Sequence, residues 1–326
     1  MHTQIRLPAL LSSLLLASAF ACGGSDQTSG PTEVDPATVT TGADTKMVIT
    51  SLQPPAFGTG YSIDLNGDGK LDNQMGALLS SIGNFANGTG GINAQITNGN
   101  ALLLLDVKSD DSTLTDDATV AMTIESAAKQ SSPDLSGTGT FTVDSSIHGG
   151  TVGGVLSAGV FEANDPVTTK KPVSATLRMP FSGATLTFKV NGLHMKFQKT
   201  CGGSPAPAYC GELHGSVKAD EFKAQFYPAV AGLLTAQVAA APTSTTAAGI
   251  EAAFDVGGCS DNGVAATAND GTITGCEVAQ NSVVANELQP DVQIFDSSGA
   301  YAPQATPTAK DSLSLGFYFE AAKASF

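Results

Sequence analysis

Residues 64–72 read Asp64-Leu65-Asn66-Gly67-Asp68-Gly69-Lys70-Leu71-Asp72. Side-chain oxygens stand at alternate positions, on Asp64, Asn66, Asp68 and Asp72. That is ligand chemistry for a hard cation such as Ca2+, which gathers about six to eight oxygens. Alternate side chains converge on one point only if the backbone between them turns tightly. Gly69 allows such a turn, because a residue without a Cβ adopts left-handed angles at little cost. Lys70 offers a backbone carbonyl to the same point. Asn-Gly and Asp-Gly are also hairpin signals, so a plain polar turn is the competing reading of the same residues.

The nine residues resemble the calcium loop of EF-hand proteins, and more closely its helix-free variants in dockerins and thrombospondin-type repeats. The resemblance implies that Asp64, Asn66 and Asp68 bind the ion directly. It implies that Lys70 binds through its carbonyl and Asp72 directly or through water. Leu71 is then the apolar residue that pins the loop to the core. The family closes its loop with a bidentate Glu at position twelve, where this chain has Met75. The implied affinity is therefore modest, in the range of about 10⁻⁴ to 10⁻³ M seen in extracellular modules. A shorter echo lies at Asp270-Gly271-Thr272-Ile273-Thr274-Gly275-Cys276-Glu277, with Ala266 and Ala268 at the first and third ligand positions. There, a disulfide-tied turn leading into a helix is the simpler expectation.

The chain starts with one basic residue, Arg6, and an apolar run from Leu7 to Phe20. That run is shorter than the roughly 20 residues a spanning helix needs. Ala17, Ser18, Ala19 and Ala21 lead into Cys22, which completes the plan of a secretory signal over residues 1–21. Ala19-Phe20-Ala21-Cys22 resembles the lipobox of bacterial lipoproteins, with Phe20 off the family's pattern. The resemblance implies lipid on Cys22, a membrane partner through that lipid, and a cell-envelope location. Gly23 lacks the Asp that retains some lipoproteins at the inner membrane, so the implied destination is the outer membrane. Ordinary cleavage near Ala21 would instead leave Cys22 as a free thiol.

Five cysteines are an odd number, which in an exported chain asks for one with a separate fate. With Cys22 set aside, short gaps suggest Cys201–Cys210 and Cys259–Cys276, although four cysteines allow three pairings. Such bridges persist in an oxidising compartment. A net charge of −15 argues against nucleic acid as a partner. A protein or glycan partner at the envelope remains open.

Residues 22–45 are small and polar and read as a lipid anchor and flexible tether. A single domain is expected over 46–326. Tryptophan is absent, Gly numbers 36, and short apolar stretches recur between turn signals. The expected class is α+β with β dominant: mostly antiparallel sheet, sandwich or barrel-like, with two or three packed helices. Helical spacing marks Met75–Phe85, 220–238 and 277–288. Strands are expected at 101–107, 119–124, 140–143, 151–161, 173–179, 184–190, 212–217, 250–256 and 313–321.

Common enzyme motifs (GxSxG, HExxH, the P-loop, GxGxxG after a strand) do not occur. His194 and His214 flank the Cys201/Cys210 loop in strand-like sequence, with Glu212 and Asp220 near, as a candidate metal or acid–base pair. Half-buried strand histidines are the plainer expectation. Three functional readings follow. The first is a calcium-binding, non-enzymatic exported lipoprotein. The second is a carrier of an apolar ligand, and the third a hydrolase built around the two histidines.

Overall fold

The computed structural model describes residues 33–55, 60–81, 91–181, 184–202, 207–261 and 263–326. Eleven strands and six helices run through them: β1 (Ala43–Gln53), α1 (Gln74–Ser81), α2 (Ile92–Thr97), β2 (Leu103–Ser109), β3 (Asp117–Ser126), β4 (Gly150–Ser157), β5 (Val160–Ala163), β6 (Ser174–Phe181), β7 (Ala184–Gln198), β8 (Tyr209–Lys218), α3 (Ala219–Ala240), α4 (Thr245–Phe254), β9 (Ser260–Asp261), β10 (Val264–Ala265), α5 (Gly275–Gln280), α6 (Ser282–Glu287) and β11 (Ser312–Lys323).

Nine strands form one antiparallel sheet in the order β5-β4-β3-β2-β1-β11-β8-β7-β6. The last half of β7 also pairs with β5, through Val160↔Gln198 and Phe161↔Phe197. That pairing closes eight of the strands into a barrel, with β6 pairing along the first half of β7. Closure removes the open edges that would otherwise invite aggregation. β9 and β10 form a separate small hairpin.

Cross-strand partners share a face, so the register identifies what fills the barrel. One row runs Leu52↔Phe319↔Gly211↔Phe197↔Phe161↔Leu156. All its large members are buried. Gly211 is required there, because a Cβ would lie 2.6 Å from the Phe319 ring and 2.0 Å from the Lys196 carbonyl. A second row runs Met47↔Leu105↔Ile124. Burying a side chain of this size is worth about 1.5–3 kcal/mol, so these rows hold the barrel shut.

The opposite face of β7, β8 and β11 is polar. Its rows are Asn191↔Ser216↔Ser314, His194↔His214↔Gly316 and Lys196↔Glu212↔Tyr318. Loops cover it. Asn73 Nδ2 donates to the carbonyls of Gly60, Tyr61 and Gly316. Tyr61 stacks on Tyr318 at 5.4 Å. Leu65, Val292 and Ile294 form a small apolar cluster of their own, with Tyr301 packed against it.

The first half of α3 packs Phe222 and Phe226 onto the barrel, against Phe188 and Phe181. Its second half belongs to a satellite cluster with Val238, Ala247, Ile273 and Val278 at its centre. The helix continues through Pro228. Among the described residues, no helix is long and apolar enough to cross a membrane.

Several boundaries differ from those expected. The segment 250–256 is helical in α4 up to Phe254 and not a strand. Ser244 caps it, accepting from the Ala247 amide at 3.0 Å, and Ile250 and Phe254 face the satellite cluster at helical spacing. The helix expected over 277–288 breaks at Asn281, whose side chain accepts from the amides of Val283 and Val284 and starts α6. Of the helix expected over 75–85, the part beyond Ser81 lies outside the described residues.

The folded body begins at Glu33 rather than residue 46. Val34 and Asn164 exchange two hydrogen bonds. Glu33 accepts from the Lys170 amide, and Asp35 pairs with Lys171. Polar composition at 33–45 reads as tether, yet Glu33, Val34 and Asp35 are held by residues 164–171 and residues 41–45 by residues 107–110, which local composition cannot report.

Candidate functional site

The 64–72 loop is built from the backbone outward. Asp64 Oδ1 accepts from the amides of Gly67 at 2.6 Å, Asp68 at 3.2 Å and Asn66 at 3.3 Å, and its Oδ2 accepts from Gly69 at 2.7 Å. Asn66 Oδ1 accepts from the Asp68 amide, and Asp68 Oδ1 from the Lys70 amide. Gly67 and Gly69 sit at φ of 81° and 80°, where a side chain would be strained. A bridge between Ile63 and Asp72 closes the loop. The Asp72 carboxylate also accepts from the Leu65 amide at 2.9 Å.

Burial pushes the Asp72 carboxyl up to about 6, and the charges of Asp291, Asp68 and Asp64 add to that rise against the Leu65 hydrogen bond. Burial and the neighbouring carboxylates therefore disfavour the charged form of Asp72. Oxygen donors of the right kind are present, and an ionised carboxylate has about four acceptor sites in all. Among the described residues, however, no three acidic, histidine or cysteine side chains converge as a cation cage. As folded here, the loop satisfies itself with backbone amides.

One implied role is corrected. Leu71 is 55% exposed and does not pin the loop, whereas Leu65 is fully buried in the small cluster with Val292 and Ile294. The closing bridge turns Leu71 outward and Leu65 inward. Neither residue's face could be told from spacing alone, because the covering segment, 292–301, is more than 200 residues away.

At the second echo, Glu277 is fully buried. Its Oε1 accepts from the Gly257 amide at 2.7 Å, and its Oε2 accepts from the Thr274 amide and hydroxyl, both at 2.9 Å. Thr274 and Glu277 form a reciprocal capping box at the start of α5. Asp270 only caps the Thr272 amide. This is the disulfide-tied turn and helix start.

Both cysteine pairs are present as bridges. Cys201–Cys210 and Cys259–Cys276 have Cα separations of 5.9 and 6.0 Å, within the usual range. Cys22 lies outside the described residues.

His194 and His214 are direct cross-strand partners. Their ring centroids are 5.7 Å apart, and the residues are only 6% and 1% exposed. Glu212 Oε2 is 3.1 Å from His214 Nε2. Burial, then the neighbouring His214, pushes the His194 imidazole down to about 4, against opposing pulls from Asp165 and an Ala163 backbone hydrogen bond. The structure thus joins His194, His214 and Glu212, and the two covered rings offer little face to a substrate. The sequence carried one signal for this: identical residue types at alternate, outward positions on segments that flank a short disulfide loop.

No family model, curated protein or solved structure matches this chain.

Proposed function

We propose that this protein is a non-enzymatic lipoprotein of the cell envelope, a closed barrel anchored through Cys22 and braced by calcium at the 64–72 loop. The reading rests on the lipobox-like Ala19-Phe20-Ala21-Cys22 sequence ahead of a disulfide-bridged body. A lipobox-like sequence ends at Cys22, and the fold begins at Glu33. The two disulfides suit an oxidising compartment. A barrel anchored through lipid suits a structural or binding role toward envelope protein or glycan.

Cys22 is tested by fractionation. Wild type is expected with the membrane fraction, and Cys22→Ser with the soluble exported fraction. Wild type found soluble would remove the anchor from the reading.

Calcium is tested separately, by following the melting temperature during titration. Asp64 is unsuitable for substitution, because it organises four amides of the loop whether or not an ion is bound. Asp68→Asn/Asp72→Asn removes two charges and keeps one acceptor at each position. At 10 mM Ca2+ and a dissociation constant near 10⁻³ to 10⁻⁴ M, mass action stabilises wild type by about 1.5–3 kcal/mol. That is a rise of roughly 3–10 °C, absent in the double variant. An unchanged wild type at 10 mM would reduce the loop to a self-capped turn.

The carrier reading is weaker. Phe161, Phe197, Phe317 and Phe319 are all buried within the barrel core, where an apolar ligand would have to sit.

A further inference from the structure

The face of the barrel under the 60–73 loop contains two orphaned nitrogens. His194 Nδ1 and His214 Nδ1 are buried and have no hydrogen-bond partner. A buried polar atom without a partner costs about 1–3 kcal/mol, so two on adjacent strands call for a cause. On His214 the other nitrogen is engaged. Nε2 of His214 faces Glu212 Oε2 at 3.1 Å, and the Ala163 backbone favours the protonated His194 ring. With Nε2 as the donor, each neutral imidazole carries its free lone pair on Nδ1. A ring nitrogen that donates to a carboxylate or a backbone carbonyl, leaving the other as a bare lone pair, is the usual outer arrangement of a metal-ligating histidine.

We propose that His194 and His214 bind one d-block divalent cation through their Nδ1 atoms. Metal–nitrogen bonds of about 2.0–2.1 Å put the ion roughly 3 Å from each ring centre, which allows centroids about 5–6 Å apart; the observed separation is 5.7 Å. Imidazole pairs suit Cu2+ best in the first-row order, above Ni2+ and Zn2+. No third histidine, cysteine or carboxylate side chain joins them among the described residues, so enclosed water or backbone carbonyls complete the coordination and the buried ion leaves slowly. This site is separate from the calcium loop in both residues and chemistry, because it offers nitrogen where the loop offers oxygen.

The test is a Cu2+ titration of the full chain, without a histidine tag, in 10 mM Ca2+ to occupy oxygen sites, read by electron paramagnetic resonance. One equivalent of copper coupled to two nitrogens is expected. His194→Gln and His214→Gln should each abolish that signal. Glu212→Gln keeps both ligands but loses the carboxylate that orients His214, and should weaken binding about 10- to 100-fold. His2→Gln and His148→Gln should leave the signal unchanged. Should the ligand variants fail to fold, the wild-type nitrogen count and the Glu212→Gln affinity still decide the matter. No stoichiometric nitrogen-coupled copper in folded wild type overturns the proposal and leaves a trapped water as the partner of both rings. A signal that survives His194→Gln, or an affinity indifferent to Glu212→Gln, overturns it equally.

Discussion

Glu277→Ala is expected to lower the melting temperature by about 10 °C. Its carboxylate is fully buried and accepts from Gly257 and from both the amide and the hydroxyl of Thr274. Burial by itself would raise its pKa, but these donors outweigh burial and hold the carboxyl below its usual value. Alanine leaves the buried Gly257 and Thr274 amides unpaired and removes the capping box of α5. Hydrogen bonds to a charged group are worth about 1.5–3 kcal/mol each, and each stranded donor costs about 1–3. Without additivity the total is about 3–5 kcal/mol, or roughly 6–15 °C for a domain of this size. The damage should start in the satellite cluster, which has its own core around Val238, Ala247, Ile273 and Val278. Limited proteolysis should therefore cut within 255–275 before the barrel yields. A melting temperature within 2 °C of wild type would mean that the disulfide Cys259–Cys276 alone organises this loop.

The second large effect is a loss of stability in acid caused by His194. Its folded pKa is about 4, against 6.5 for the free side chain. The unfolded chain therefore binds the proton first, and stability contributed above pH 6.5 is lost as pH falls toward 4. A shift of this size corresponds to about 3 kcal/mol across that window. Asp72 works in the opposite direction. Its folded pKa is raised from 3.8 to about 6, so its contribution is present below 3.8 and is lost as pH rises through about 6. Wild type alone would thus show a partly cancelled slope, and variants are needed to separate the two. His194→Gln retains an amide nitrogen near the position of Nε2 and does not titrate. Denaturant melts in the presence of chelator should show wild type losing about 3 kcal/mol more than His194→Gln between pH 7 and pH 4. Parallel pH curves for the two proteins would show that the imidazole stays accessible to protons in the fold.

Much of the barrel was legible because a strand sheltered on one face alternates, and several of these do. Val120, Met122 and Ile124 mark β3, and Leu313, Leu315, Phe317 and Phe319 mark β11, with their apolar members all inside. The alternation survives in β11 although its other face is also covered, because that cover is polar: Ser314 bonds to Asp291, and Asn73 bonds to the Gly316 carbonyl. Strand order and closure were not legible. β1 lies between β2 and β11, and β5 reaches β7 across 35 positions. Neither pairing leaves a local pattern in composition or period.

The calcium-like loop divides in the same way. Its turn was readable, because Gly67 and Gly69 stand where positive φ is needed and Asp64, Asn66 and Asp68 each cap the amide two residues on. Which leucine faces inward was not. Leu65 and Leu71 are equivalent in sequence, and only the distant Val292 and Ile294 distinguish them.

By itself the sequence determined what short-range chemistry determines. It specified acidic self-capped turns, β-dominant patterning and two short disulfide loops, each a property of residues within about 20 positions of one another. The tertiary structure alone decided that the sheet closes on itself, that residues 33–45 belong to the folded body, that Glu277 is a buried cap, and that His194 and His214 meet under a lid. Each of these depends on contacts between segments far apart in the chain. Their energy is shared among many partners across the barrel, so no single stretch of sequence carries enough of it to be read in advance.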